Sequence, residues 1–214
     1  MAIIQSGSAA GTALLVDPNF GAARVAMRPI DVLGWNSVGV ATGLVTGLAA
    51  GATIFSFRNL SANPVLVRRV GVGFVTTTAF TAAQLMSFGL TVARSFTASD
   101  SGGTAIALTG SNAKHRTTLA TPTSLDCRVA TTAALTAGTR TLDANSMAVA
   151  AGWSGAAGVT IPPALNNLLS HDTGDYPLVL AQNEGLIVVN LTAMGAAGVG
   201  VATVAIEFAE ASAF

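Results

Sequence analysis

From Thr53 onward the chain alternates. Thr53, Phe55 and Phe57 share one parity while Ser56 and Arg58 take the other, the period-two signature of a half-buried strand. A turn over Asn59 to Pro64 follows. Leu66, Val70, Val72 and Phe74 then fall on one face, and Gly71 and Gly73 on the opposite face would let another backbone come close. These two runs predict a hairpin. A third strand is expected from Gln84 to Phe96, with Met86, Phe88, Leu90, Val92 and Phe96 facing one way and Ser87, Gly89, Thr91 and Ser95 the other. Val199 to Glu210 supplies the last strand, with Val204, Ile206 and Phe208 inward and Thr203, Ala205 and Glu207 outward.

Shorter runs fill the middle of the chain. Thr104 to Thr109, Arg128 to Ala134 and Thr139 to Leu142 read as brief strands, whereas Ala144 to Ile161 is rich in Ala and Gly and resists assignment. Tyr176 to Leu180 and Leu186 to Thr192, joined through Gln182 to Gly185, predict an antiparallel pair. Ala164 to Ser170 predicts the single short helix, because Leu165, Leu168 and Leu169 stand at helical spacing after Pro162 and Pro163. Met1 to Leu33 reads as a partly extended arm with a turn at Asp17, Pro18 and Asn19. We therefore expect an N-terminal arm and glycine-rich segment over residues 1–52, touching neighbouring subunits, and one domain over residues 53–214. About eight or nine short strands with almost no helix predict an all-β antiparallel β-sandwich of the jelly-roll kind.

Charge changes the picture. Only 9% of the 214 residues are charged, ten basic against ten acidic, whereas an ordinary domain carries roughly 25%. Lys114 is the sole lysine. Direct nucleic-acid binding is not expected, because phosphate neutralisation needs clustered cations and only Arg68 with Arg69, and Lys114 with His115 and Arg116, stand together. Cys127 is the only cysteine, so no intrachain disulfide forms, and its simplest role is that of a small buried apolar residue. No basic n-region precedes a long apolar run at the start, so no secretory signal is expected. Residues 32–57 and 185–206 are long enough and uncharged enough to raise the question of a membrane span. Both are interrupted by Asn, Thr and Gly and lack basic flanks, so strands and loops are expected there instead.

Chemistry is sparse. The densest polar cluster is His171, Asp172, Thr173, Gly174 and Asp175, in which Asp172 and Asp175 could offer oxygens to a hard cation. It lacks the ligand alternation and terminal glutamate of a calcium loop, so a solvent-facing Asx turn before Tyr176 is the favoured reading and no metal is expected. Gly152, Trp153, Ser154 and Gly155 place the second glycine one position too early for a serine nucleophile elbow. Asp126, Cys127 and Arg128 form no thiolate signature. Glu184, Glu207 and Glu210 read as solvated positions, not as a paired-carboxylate cleft. No enzyme activity and no cofactor are expected.

What remains is the surface. Outward strand positions are Ala, Gly, Ser, Thr or Val where Lys and Glu would normally protect a sheet, so these faces are expected to be covered by neighbours. Trp35, Gly71, Gly73 and Trp153 are the residues expected at such contacts. Trp35, Trp153 and Tyr176 beside Asp172 and Asp175 also leave open a carbohydrate-binding or adhesin module.

Three segments, FSFRNLSANPVLVRRVGVGF (residues 55–74), ARSFTASDSGGTAIALTG (93–110) and YPLVLAQNEGLIVV (176–189), give the chain a resemblance in style to small Ala/Gly/Thr-rich virion proteins of tailed phages. These decorate or cement capsids. The resemblance implies a virion location on the capsid surface, self-association with a trimer favoured, and the major capsid protein or other virion proteins as partners. A major shell, head-fibre or tail-associated subunit is the structural alternative, and no functional residue transfers.

Overall fold

Residues 34–108, 113–115, 124–154, 166–170 and 177–211 are described by a computed structural model. Among them every regular element is a strand: β1 (Trp35–Ala41), β2 (Val45–Thr46), β3 (Ala52–Asn59), β4 (Val65–Thr78), β5 (Gln84–Phe96), β6 (Thr104–Ala105), β7 (Leu125–Val129), β8 (Arg140–Leu142), β9 (Ala148–Ser154), β10 (Asn166–Ser170), β11 (Leu178–Leu180), β12 (Gly185–Asn190) and β13 (Val199–Glu210). They form two antiparallel sheets packed together as a β-sandwich. One sheet runs β1-β13-β4-β10, with β2 beside β13 and β11 beside β4. The other runs β6-β7-β3-β12-β5-β8, with β9 also paired to β5.

The core lies between the sheets, as the alternation requires. Val204, Ile206 and Phe208 of β13 are buried against Phe55 and Phe57 of β3 and Met86, Phe88, Leu90 and Val92 of β5. Phe57 and Phe208 meet across the layers with ring centroids 5.0 Å apart, a tilted contact favoured by the ring quadrupoles.

Two expected pairings do not form. β3 and β4 are not a hairpin: β3 pairs β12 and β7 in one sheet, while β4 pairs β13, β10 and β11 in the other. The intervening turn crosses between layers, held by Asn59, whose Nδ2 donates to the carbonyls of Asn63 and Leu180 and whose Oδ1 accepts from the Ser61 amide. Likewise β11 pairs β4 and β12 pairs β3 and β5, so the segment at Gln182 to Gly185 is a corner between sheets. Alternation identifies strands, but it carries no information on which sheet each strand joins.

Bulges account for the residues whose face differs from expectation. The β4–β13 register shifts between Glu207 and Phe208, which face Arg69 and Val67, so Arg68 is the inserted residue. Val67 and Val70 both point inward around the two arginines, and Leu66 is buried outside the main core cluster. A shift at Ile54 turns Thr53 to the outer face, away from Phe55 and Phe57. A shift at Arg94 sends Phe96 to a second, outer cluster with Ala93, Ile187 and Val189.

The helix expected over 164–170 is absent from its described part, where Asn166–Ser170 is β10 paired to β4. The leucine spacing that suggested a turn of helix instead straddles a register shift between Asn167 and Leu169. The segment expected as an arm contributes strands too. β1 pairs β13 along its whole length, so the sandwich includes Trp35 to Ala41, ahead of the boundary expected at residue 53. β9 occupies the stretch that resisted assignment. No helix among the described residues is long and apolar enough to cross a membrane.

Candidate interaction surface

The outer face of the six-stranded sheet is floored with small side chains. Pairing in register sets Gly39 beside Ala205 and Ala205 beside Gly71, and one step along it sets Ala41 beside Thr203 and Thr203 beside Gly73. Gly71 and Gly73, expected at a close contact, lie on the same face but are buried within the subunit, so the open part of the strip spans β1 and β13. A side chain added at Gly39 would meet no atom within 4 Å, so the strip is open above that residue.

Charged groups close one end of the strip. Arg68, placed outward by its bulge, ion-pairs with Glu207 and lies over the ring of Trp35, 4.7 Å from its centroid. The segment at Ala113 to His115 adds beside β1, through Ser37 N–H to the Ala113 carbonyl and His115 N–H to the Trp35 carbonyl. His115 then bonds Ser37 Oγ through Nε2 at 2.9 Å and places Nδ1 3.8 Å from Glu207 Oε1. Two basic residues from separate sequence clusters thus converge on one carboxylate. Trp35 has one ring face occupied by a guanidinium and is half-buried.

Two of the three glutamates differ from the solvated positions expected. Glu210 is buried and accepts from Ser61 Oγ and Asn63 Nδ2, tying the end of β13 to the turn after β3. Glu207 is largely covered by the Arg68 contact.

The seven-stranded sheet has a different exterior. Loops cover its centre, where Arg58 and Arg140 both approach the Phe96 ring, at 5.8 and 5.6 Å. Arg140 ion-pairs with Asp100 and donates to Thr53 Oγ1, while Arg58 donates to Ser99 Oγ, the Thr97 carbonyl and Asn183 Oδ1. These bonds offset much of the desolvation cost of the two guanidinium groups, leaving Arg58 Nε buried without a hydrogen-bond partner among the described residues, and they pin the loops to the sheet. Alternation in the sequence reveals none of this cluster.

Toward β9 the cover ends and an apolar patch is exposed. Trp153 is 62% exposed, Val149 57%, Met147 48% and Leu85 39%. Leu85 pairs with Trp153, Ser87 with Ala151 and Gly89 with Val149, so these residues share one outer face across β5 and β9. β9 pairs only β5 among the described residues, which makes it an edge strand. No charged residue occurs in β5 from Gln84 to Ala93 or from Ala144 to Ser154.

The reactive-group candidates resolve into structural roles. Ser154 is buried with its Oγ 2.6 Å from Thr76 Oγ1. Burial, reinforced by the charge of Asp126, pushes the Cys127 thiol far above its ordinary range, and Asp126 itself pairs with Arg128 at 3.3 Å. Asp172, Asp175 and Tyr176 lie outside the described residues. Among the residues that are described, no group of three His, Cys, Asp or Glu side chains could hold a metal ion.

No protein-family model matches the chain, and neither curated proteins nor solved structures give a match to it.

Proposed function

We propose that this chain is a structural subunit of a virus particle, of the capsid decoration or cement kind, which associates with itself and stabilises a shell by burying uncharged strand faces. The observation that carries the reading is the exterior of the sandwich: a strip of Gly39, Ala41, Thr203 and Ala205 on one sheet and the uncharged Leu85, Val149 and Trp153 patch on the other. A protein that works alone in water normally interrupts such faces with Lys and Glu. Association removes this area from water, at roughly 25 cal/mol per Å² of apolar surface.

Partners in this reading are further copies of the chain, a trimer being favoured by the resemblance, together with the major capsid protein. A shell, head-fibre or tail-associated subunit would differ in copy number and position. Imaging the intact source particle at side-chain resolution tests the proposal directly. The expected result is density for this sandwich repeated on the outer surface at local symmetry axes. Absence of the chain from purified particles would end the reading.

The exposed ring of Trp153 is the one feature that favours a carbohydrate-binding module, since an open indole can stack on a sugar face. Glycan binding by the isolated protein, lost on Trp153→Ala with assembly intact, would select that reading.

A further inference from the structure

We infer that the β5–β9 face is a two-fold contact in which a second copy of this chain packs its own Leu85, Met147, Val149 and Trp153 against the same residues. This rests on the reading that the chain assembles, and adds which face does so and with what symmetry.

Three observations support a second copy as the occupant. The face holds Leu85, Val149 and Trp153, 39% to 62% exposed on an uncharged stretch of two strands, with Met147, 48% exposed, immediately before β9. Two such patches brought together would remove on the order of 1,000 Å² from water, the lower limit of a specific interface. At the centre of the patch the exposed Ala151 offers only a methyl group, while its partner Ser87 is buried with its Oγ 2.7 Å from Thr192 Oγ1. A two-fold axis near Ala151 sets the large Trp153 of one copy opposite the Val149 end of the other, so bulky and small positions interdigitate. Finally, neutrality selects the partner. A charged surface would leave its ions facing Trp153 and Val149 without counter-charges, whereas an identical face brings none.

Sedimentation velocity on the full chain, with Trp153→Asp and Val149→Asp beside the native protein, tests the contact. Either substitution is expected to weaken self-association by about 100-fold or more, while the variants keep the native circular-dichroism spectrum and a cooperative urea transition, since both positions face solvent within one subunit. In an Ala151→Cys variant, a short bis-maleimide should yield a covalent dimer, because Cys127 is buried and residue 151 faces its own copy at the axis across sheets about 10 Å apart, too far for a direct disulfide. A native oligomer unaffected by both aspartates would overturn this contact while leaving assembly through another face intact. A native protein that stays monomeric would overturn both the contact and the assembly reading. A monomer that binds glycans through Trp153 would replace them with the carbohydrate reading.

Discussion

Arg140 and Asp100 form an ion pair almost wholly removed from solvent, their side chains 7% and 0% exposed, on the outer side of the seven-stranded sheet. Asp100 Oδ1 also accepts from the Gly138 amide, so one carboxylate ties two loops together. Truncating one partner strands the other charge in a dry site. Asp100→Ala is therefore expected to lower unfolding free energy by about 3 kcal/mol in urea titrations, a cost typical of breaking buried pairs. Replacing both by apolar residues, Asp100→Leu with Arg140→Met, should recover most of that loss. A single substitution that leaves the midpoint unmoved would contradict the burial of this pair.

Arg94 and Asp143 supply the contrast. Their side chains are 51% and 37% exposed, and the Asp143 hydrogen bond raises the guanidinium above its ordinary value against an opposing desolvation. Water and salt screen such a pair. Asp143→Asn should change stability by less than about 1 kcal/mol, with the difference shrinking further in 1 M salt. A loss as large as that of Asp100→Ala would refute the assignment of Arg94 to the solvated edge.

Cys127 predicts a pH dependence of definite sign. Burial raises its folded pKa, so above about pH 8.5 the unfolded chain releases the thiol proton while the folded chain keeps it. Below that pH the thiol is neutral in both states. Stability should thus fall above pH 8.5 with a limiting slope of about 1.4 kcal/mol per pH unit from this group, and Cys127→Ala should lack that component. Thiol reagents at pH 8 should label the folded protein only as fast as it opens. Prompt labelling in native buffer would show that the thiol is accessible.

Gly103 is held at φ +59°, and a Cβ there would collide with the Val129 carbonyl oxygen and the Leu135 side chain. Its loop packs beside β7 through the pairing of Thr104 with Val129. Gly103→Ala combines a strained backbone with a clash and should cost about 2 kcal/mol or more in a thermal or urea melt. Gly39→Ala, at an open position with ordinary φ, should cost under about 1 kcal/mol in the subunit itself. Equal effects at the two glycines would disprove this distinction.

Much of the sandwich was legible from alternation alone, because inward positions such as Val204, Ile206 and Phe208 must be apolar wherever their partners lie. The last strand was read with the bounds Val199–Glu210 that the structure has. The surface was legible in kind, since a lack of charge is a property of composition. Trp153 proved openly exposed, while Trp35 proved to be half-covered by Arg68.

Alternation and composition alone required this chain to form strands with one apolar face each and an exterior poor in charge. Periodicity and composition are local quantities, and they survive whichever strands meet. Long-range packing, by contrast, parts β3 and β4 into opposite sheets, and bulges at Ile54 and Arg94 turn Thr53 and Phe96 outward while one at Arg68 sets Val67 and Val70 both inward. It alone decided that Gly39, Ala205 and Gly71 line up across three strands, or that Leu85 lies beside Trp153. Those relations depend on register between segments distant in the chain, which is set by how the whole core packs.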